Sequence, residues 1–315
     1  MSELLQVFQD VPALFLATVG LVGLVVGSFL NVVIHRLPIM VEREWRAGLE
    51  DVETPSGAGP DASALEVNGD GTVGLSGEPS APDRVEGPFN LAVPRSRCPR
   101  CGRAISAIEN VPVLSWLVLR GRCAGCSEPI SIRYPLVEAA TAGLSLLVAW
   151  QFGPTPQALL GIVATWFLIA MSMIDFDTQY LFDNLTLPLL WIGLLAALVP
   201  VFADLRSAVL GAALGYGILW TIYWSFKLLT GKEGMGYGDF KLLAAIGALL
   251  GWQALPLVIL LSSLVGAVVG VALIAISGRD RSVPIPFGPY LAAAGFIAML
   301  WGESLGRWYF GLVAG

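Results

Sequence analysis

Ile162-Val-Ala-Thr-Trp-Phe-Leu-Ile-Ala-Met-Ser-Met-Ile-Asp175 runs without a charge until its last residue, and Asp177 follows two positions later. The run has the composition of a membrane helix. An ionisable group at the edge of the hydrocarbon is costly, so Asp175 is a functional candidate. A second carboxylate of the same kind, Asp239, closes Gly234-Met-Gly-Tyr-Gly-Asp239 and leads into another apolar run. Two carboxylates from separate helices, brought together, cannot both ionise at a few ångströms. One keeps a proton and the other can activate water.

The rest of the chain agrees with a membrane setting. Of its 315 residues, 56% are hydrophobic and 13% charged, and mean hydropathy is +0.73. That is an all-α polytopic membrane protein. Apolar runs near 11–34, 135–152, 156–174, 184–203, 207–226, 240–251, 253–277 and 287–302 predict about eight transmembrane helices. The run 240–251 is short, as a half-helix or a tilted one would be. The net charge of −6 sits mostly in one polar segment, and no basic stripe suggests nucleic acid.

With the N-terminus outside, 16 of the 18 Lys and Arg fall in or beside inside segments, and 11 of them lie between Arg36 and Arg133. The positive-inside rule then places both Asp175 and Asp239 at the cytoplasmic face and the N-terminus in the periplasm. Met1–Asp10 carries no Lys or Arg, so the first span reads as a retained helix rather than a cleaved signal. Three parts follow: a first transmembrane helix within 1–35, a cytoplasmic region at 36–134, and a membrane domain at 135–315. Within the cytoplasmic region, 50–86 is rich in Gly, Ser, Pro and acidic residues and is expected to be a disordered insert. Residues 89–134 form a small module with all four cysteines.

Those cysteines stand as Cys98-Pro-Arg-Cys101 and Cys123-Ala-Gly-Cys126. Each C-x-x-C pair offers two thiolates at the bite of a tetrahedral metal, and the intervening chain is long enough to return. The expectation is a structural four-cysteine zinc site. Two redox dithiols or unligated buried thiols are the alternatives. A module this small has too little core to stand alone, so bound metal would supply folding energy.

Each carboxylate has a plain structural alternative. Asp183 precedes Asn184 and an apolar run, in the position of a helix N-cap. Asp239 also precedes a helix and could be a cap. Asp177 lies further out than Asp175. One histidine, His35, leaves no His-Glu-x-x-His zinc site, and no P-loop or dinucleotide fingerprint is present. His35 and Asn31 lie one helical turn apart on one face, where packing or interface anchoring is the simplest role. The pair Asp175 and Asp239 therefore points to aspartyl-protease chemistry. A proton-coupled transporter with a carboxylate relay and a zinc-stabilised assembly scaffold are the rival readings.

Several stretches together resemble the bacterial type IV prepilin peptidases, bifunctional leader peptidase/N-methyltransferases of the GxGD type. They are Gly27–Pro38, the two cysteine pairs with Asn110-Val-Pro-Val-Leu-Ser-Trp116 between them, and Arg133-Tyr-Pro-Leu-Val-Glu138. Ile174–Gln179, Gly236–Leu242 and Pro284–Tyr290 continue the series. The resemblance covers nearly the whole chain and puts the family's catalytic aspartates on Asp175 and Asp239. It implies leader cleavage of type IV prepilins and type II secretion pseudopilins, then methylation of the new amine with S-adenosylmethionine. It also implies an inner-membrane location. Two departures stand out: Leu181-Phe-Asp183 where the family often has Leu-Pro-Asp, and an insert longer than in many members. The sequence does not place the methyl-donor site. Arg120-Gly121-Arg122 is a candidate loop for positioning donor or substrate, with a simple turn as the alternative.

Overall fold

The computed structural model describes residues 2–53, 89–106, 108–232, 234–277 and 286–313. From residue 54 onward the expected insert lies outside the described residues. Residues 50–53 belong to a helix.

The chain folds into helices α1 (Ser2–Asp10), α2 (Pro12–Glu53), α3 (Leu114–Val118), α4 (Arg133–Phe152) and α5 (Pro156–Thr178). After these come α6 (Asp183–Ala196), α7 (Leu205–Thr230), α8 (Tyr237–Leu250), α9 (Leu255–Ser277) and α10 (Gly288–Val313). Among the described residues the only strand-like pairings are two isolated antiparallel bridges, Arg97 with Ala104 and Arg122 with Pro129. Five helices are long and apolar enough to cross a membrane by length and composition, within Pro12–Gly48, Arg133–Phe152, Pro156–Thr178, Leu205–Thr230 and Trp252–Leu273. α6 and α8, at 14 residues each, span only about 21 Å at 1.5 Å per residue, short of the hydrocarbon thickness.

Two helices depart from the lengths read in the sequence. The helix that carries the first apolar run does not end with that run near residue 34. α2 continues for 42 residues through Arg36 and Pro38, supported in its polar part by a Glu42–Arg46 pair at 2.6 Å. In contrast, the run 184–203 breaks early. α6 stops at Ala196, and Pro200 lies shortly beyond, where a helix cannot resume.

Local signals set the other ends. Thr155 caps α5 by accepting from the Ala158 N–H at 3.3 Å, with Pro156 at the first position. Gln179 closes α5 in the left-handed conformation. Asp204 caps α7 by accepting from the N–H groups of Arg206 and Ser207.

α8 is the innermost helix. Every residue from Asp239 to Leu249 except Lys241 is buried. Its neighbours approach through glycine. A Cβ on Gly211 of α7 would lie 2.1 Å from the Gly247 carbonyl oxygen of α8, and one on Gly193 of α6 would lie 2.8 Å from the Leu249 nitrogen. In lipid, where burial of apolar surface gives no drive between helices, such close backbone contact supplies the attraction. α2 meets α4 in the same way. A Cβ on Gly23 or Gly27 would reach the Cα of Ala142 or Glu138 at 2.8 and 2.7 Å. On another side α2 packs Val33, Ile34, Leu37 and Val41 into a cluster with Ala170 and Ile174 of α5.

Candidate active site

Asp175 lies in the last turn of α5 and Asp239 in the first turn of α8. The fold brings these two helix ends together with the start of α10. Both aspartates are buried, at 4% and 7% exposure, and their carboxyl groups are close enough to interact electrostatically. Asp175 Oδ2 accepts a hydrogen bond from the Gly288 N–H at 2.9 Å. Only a residue without a side chain fits there, since a Cβ on Gly288 would stand 2.6 Å from that oxygen. Leu181 wedges against both neighbours: a Cβ on Gly238 would meet its Cβ at 2.6 Å, and one on Gly288 its Cδ1 at 3.2 Å.

Asp239 is not a helix cap. Gly236 holds that position, and no side chain caps α8. Asp183 is not one either. Phe182 occupies the cap position and Asp183 is the first helical residue. Its carboxylate instead accepts from Lys241 Nζ at 2.5 Å, tying α6 to α8. Asp177 is committed to a two-pronged pair with Arg133, at 2.8 and 2.5 Å, which joins the end of α5 to the start of α4. Of the four carboxylates, only Asp175 and Asp239 are buried without a cation partner among the described residues.

The four cysteines converge. Their sulfur atoms lie within 4.8 Å of one another, a group that could hold a metal ion. Cys98 Sγ and Cys126 Sγ are 3.7 Å apart, close to the edge of about 3.8 Å expected for a tetrahedron with metal–sulfur bonds of about 2.3 Å. The two pairs are built alike. The Cys98 carbonyl accepts from the Gly102 N–H and the Cys123 carbonyl from the Ser127 N–H, each at 2.9 Å. Gly102 and Ser127 both have positive φ, +68° and +61°. Backbone N–H groups of Cys101 and Arg100 bring the Cys98 thiol down to about 6, and those of Cys126 and Gly125 lower Cys123. The first cysteine of each pair is thus biased toward the thiolate, the form that binds metal, while burial and the neighbouring thiols push Cys126 up to about 12.

Beside this cluster lies a cavity of about 670 Å³. Ser28, Asn31, His35 and Arg36 of α2 form one wall, and Tyr134 and Glu138 of α4 another. The cysteine module covers it with Arg97, Cys98, Trp116 and Cys123. Asn31 donates to the Tyr134 carbonyl at 3.1 Å, and His35, on the same face, is exposed. Arg36, which has no role assigned from sequence, is buried and donates to the carbonyls of Asn90 at 2.9 Å and Pro94 at 2.6 Å. It anchors the module to α2. Gly121 is not on the cavity wall but lies behind Trp116, where a Cβ would come within 2.8 Å of the indole ring.

The partners of the aspartates were not visible in advance. Gly288 is 113 positions from Asp175, and its sequence signals, the Pro-Phe-Gly-Pro string at residues 286–289 and the resemblance over Pro284–Tyr290, do not say which residue it meets.

Comparisons with known proteins agree over almost the full length. Residues 21–152 match the bacterial peptidase A24 N-terminal domain, and residues 162–271 match the type IV leader peptidase family. A prepilin leader peptidase/N-methyltransferase of Aeromonas hydrophila is 54% identical over 309 residues, 98% of each chain. Proteins of the same name from Pseudomonas aeruginosa and Stutzerimonas stutzeri are 50% and 51% identical, over 97% and 93% of each chain. No solved structure gives a significant match. With both halves matched in order and about half of all positions identical, the chain belongs to the type IV leader peptidase family.

Proposed function

We infer that this chain cleaves the leader peptide of type IV prepilins and pseudopilins and methylates the amine so created, with Asp175 and Asp239 as the proteolytic pair. The observation that carries the assignment of the pair is the meeting of two buried carboxylates from separate helices. Each lies at a helix end, where a peptide at the membrane surface can reach it. One aspartate, ionised, takes a proton from water as it attacks the scissile carbonyl. The other, protonated, polarises that carbonyl and then protonates the leaving amine. No covalent intermediate is needed. The Gly288 N–H fixes the position of one oxygen of Asp175, and the ion pairs of Asp177 and Asp183 leave those side chains to structural work.

The charge distribution supports a cytoplasmic active face in the inner membrane. A prepilin then keeps its basic leader inside while its apolar helix stays in lipid. The spacing of the cysteine sulfurs suits zinc, which would tie residues 98–126 together as a structural ion. Methylation draws on S-adenosylmethionine, which supplies an activated methyl group to the amine.

The test is incubation of purified protein with a prepilin, with and without S-adenosylmethionine, followed by intact mass. Wild type is expected to give a shortened product and, with donor, one heavier by a methyl group. Asp239→Asn is expected to give neither. Processing by Asp239→Asn at the wild-type rate would sink the mechanism.

A further inference from the structure

The cavity between α2, α4 and the cysteine module takes no part in the proteolytic chemistry above. Its size falls within the range of about 300–1,000 Å³ typical of small-molecule sites, at about 670 Å³. Three features mark it as built for a ligand. Glu138 is buried on its wall, yet among the described residues it has no cation partner. Its Oε2 accepts from the Val113 N–H at 2.7 Å. Val113, which is not itself on the cavity wall, is held at φ +57°, a conformation that a β-branched residue rarely adopts. That strain is spent on the bond that holds the wall carboxylate of Glu138 in place.

We propose that this cavity is the methyl-donor site, with the Glu138 carboxylate facing the sulfonium end of S-adenosylmethionine. The placement rests on the two-reaction reading given above. The donor carries a fixed positive charge, a flat aromatic base and an amino-acid carboxylate, and the wall offers a counterpart to each. Glu138 supplies a negative charge away from bulk water. Trp116 and Tyr134 supply aromatic faces, which also attract a sulfonium cation. Arg97, on the outer rim with no ion pair among the described residues, can take the donor's carboxylate. Asn31 and His35 line the α2 side. The cysteine module roofs the cavity, which ties the metal cluster to donor binding rather than to proteolysis.

The experiment is equilibrium dialysis of full-length protein in detergent against radiolabelled S-adenosylmethionine, together with ultraviolet crosslinking of the bound label and mapping by mass spectrometry. Glu138→Gln keeps an acceptor for the Val113 N–H but removes the charge, and is expected to weaken binding by about tenfold or more. Crosslinked peptides should fall within residues 28–36 or 89–138. Unchanged affinity in a Glu138→Gln protein that melts like wild type, or label confined to other segments, overturns the placement. If Glu138→Gln melts early, His35→Ala takes its place, because His35 is exposed and its loss removes only wall contacts. It is expected to weaken binding by at least about threefold, and wild-type affinity again overturns the placement. Wild-type protein that methylates prepilin but is labelled elsewhere refutes the site alone. Wild-type protein that cleaves but neither binds donor nor methylates refutes the two-reaction reading with it.

Discussion

Asp175 and Asp239 are held by different means, and substitutions should separate them. Asp175 is fixed by a hydrogen bond from the Gly288 backbone of another helix, whereas Asp239 has the backbone of Gly236, just before it in the chain, at its carboxyl and rides on the buried α8. Replacing either carboxyl with an amide removes the group that moves the proton. Asp175→Asn and Asp239→Asn should each lower the rate of leader cleavage by at least about 10²–10⁴-fold. Gly288→Ala leaves both carboxyls in place but puts a methyl group 2.6 Å from Asp175 Oδ2. A shift of about 1 Å in a catalytic group can cost about 10²-fold, so a fall of that order is expected in kcat with KM little changed. Single-turnover cleavage of a prepilin in detergent checks all three variants, and full activity of Gly288→Ala would show that the contact is incidental. Ser127 makes a gentler case. Its φ of +61° is costly for any residue with a Cβ, and Gly102 fills the matching position in the first cysteine pair. Ser127→Gly should stabilise the module by about 1 kcal/mol, read as slower loss of cysteine-bound metal to a chelator.

At the scale of the element, α8 carries the argument. A 14-residue helix cannot span the hydrocarbon, and it is buried along almost its whole length by α6 and α7. The Gly211–Gly247 contact sets the distance between α7 and α8, and Asp239 rides on the helix so placed. Gly211→Ala would force a Cβ to within 2.1 Å of a carbonyl oxygen. It should destabilise the pair by about 1–3 kcal/mol and reduce cleavage although the contact at Gly247 lies about two turns along α8 from Asp239. Thermal unfolding and cleavage rate measured on the same preparation check this; a fall in neither means that α7 and α8 separate without strain. The carboxylates were legible in the sequence because a charge ending an apolar run is costly wherever it occurs. The cysteine cluster was legible because two short pairs define four ligands. The packing that positions them was not. Gly211, Gly193 and Gly247 look like ordinary glycines in apolar runs, and their role depends on which helices become neighbours. The same holds for α2, whose helix passes through Pro38, and for α6, whose apolar run continues past its end at Ala196.

Seen as a whole, the molecule keeps its two sets of reactive residues in separate places. The proposed proteolytic pair is enclosed by α5, α8 and α10, and the cavity by α2, α4 and the cysteine module. Eight apolar runs were readable in the sequence, but length and composition identify five membrane-crossing helices among the described residues. The cavity was not readable at all, because its walls come from residues 28–36, the module and residues 134–138. Removing the metal should therefore divide the activities. Cys98→Ser or chelation is expected to reduce methylation at least about tenfold more than cleavage, measured by intact mass on one reaction. Equal loss would place the module in both reactions. α2 turns one side to the cavity and packs the other on α5, beside Asp175. The aspartate pair and the cavity thus border different sides of α2. If a pilin freed of its leader stays docked on the enzyme through its own membrane helix, its new terminus would sample the proposed donor cavity at an effective concentration in the millimolar range, about that of a short flexible linker. Turnover should accordingly be processive. After a chase with excess unlabelled prepilin, each labelled chain already cut should still leave methylated, and a chase that traps cut but unmethylated pilin would mean that the substrate dissociates between the two steps.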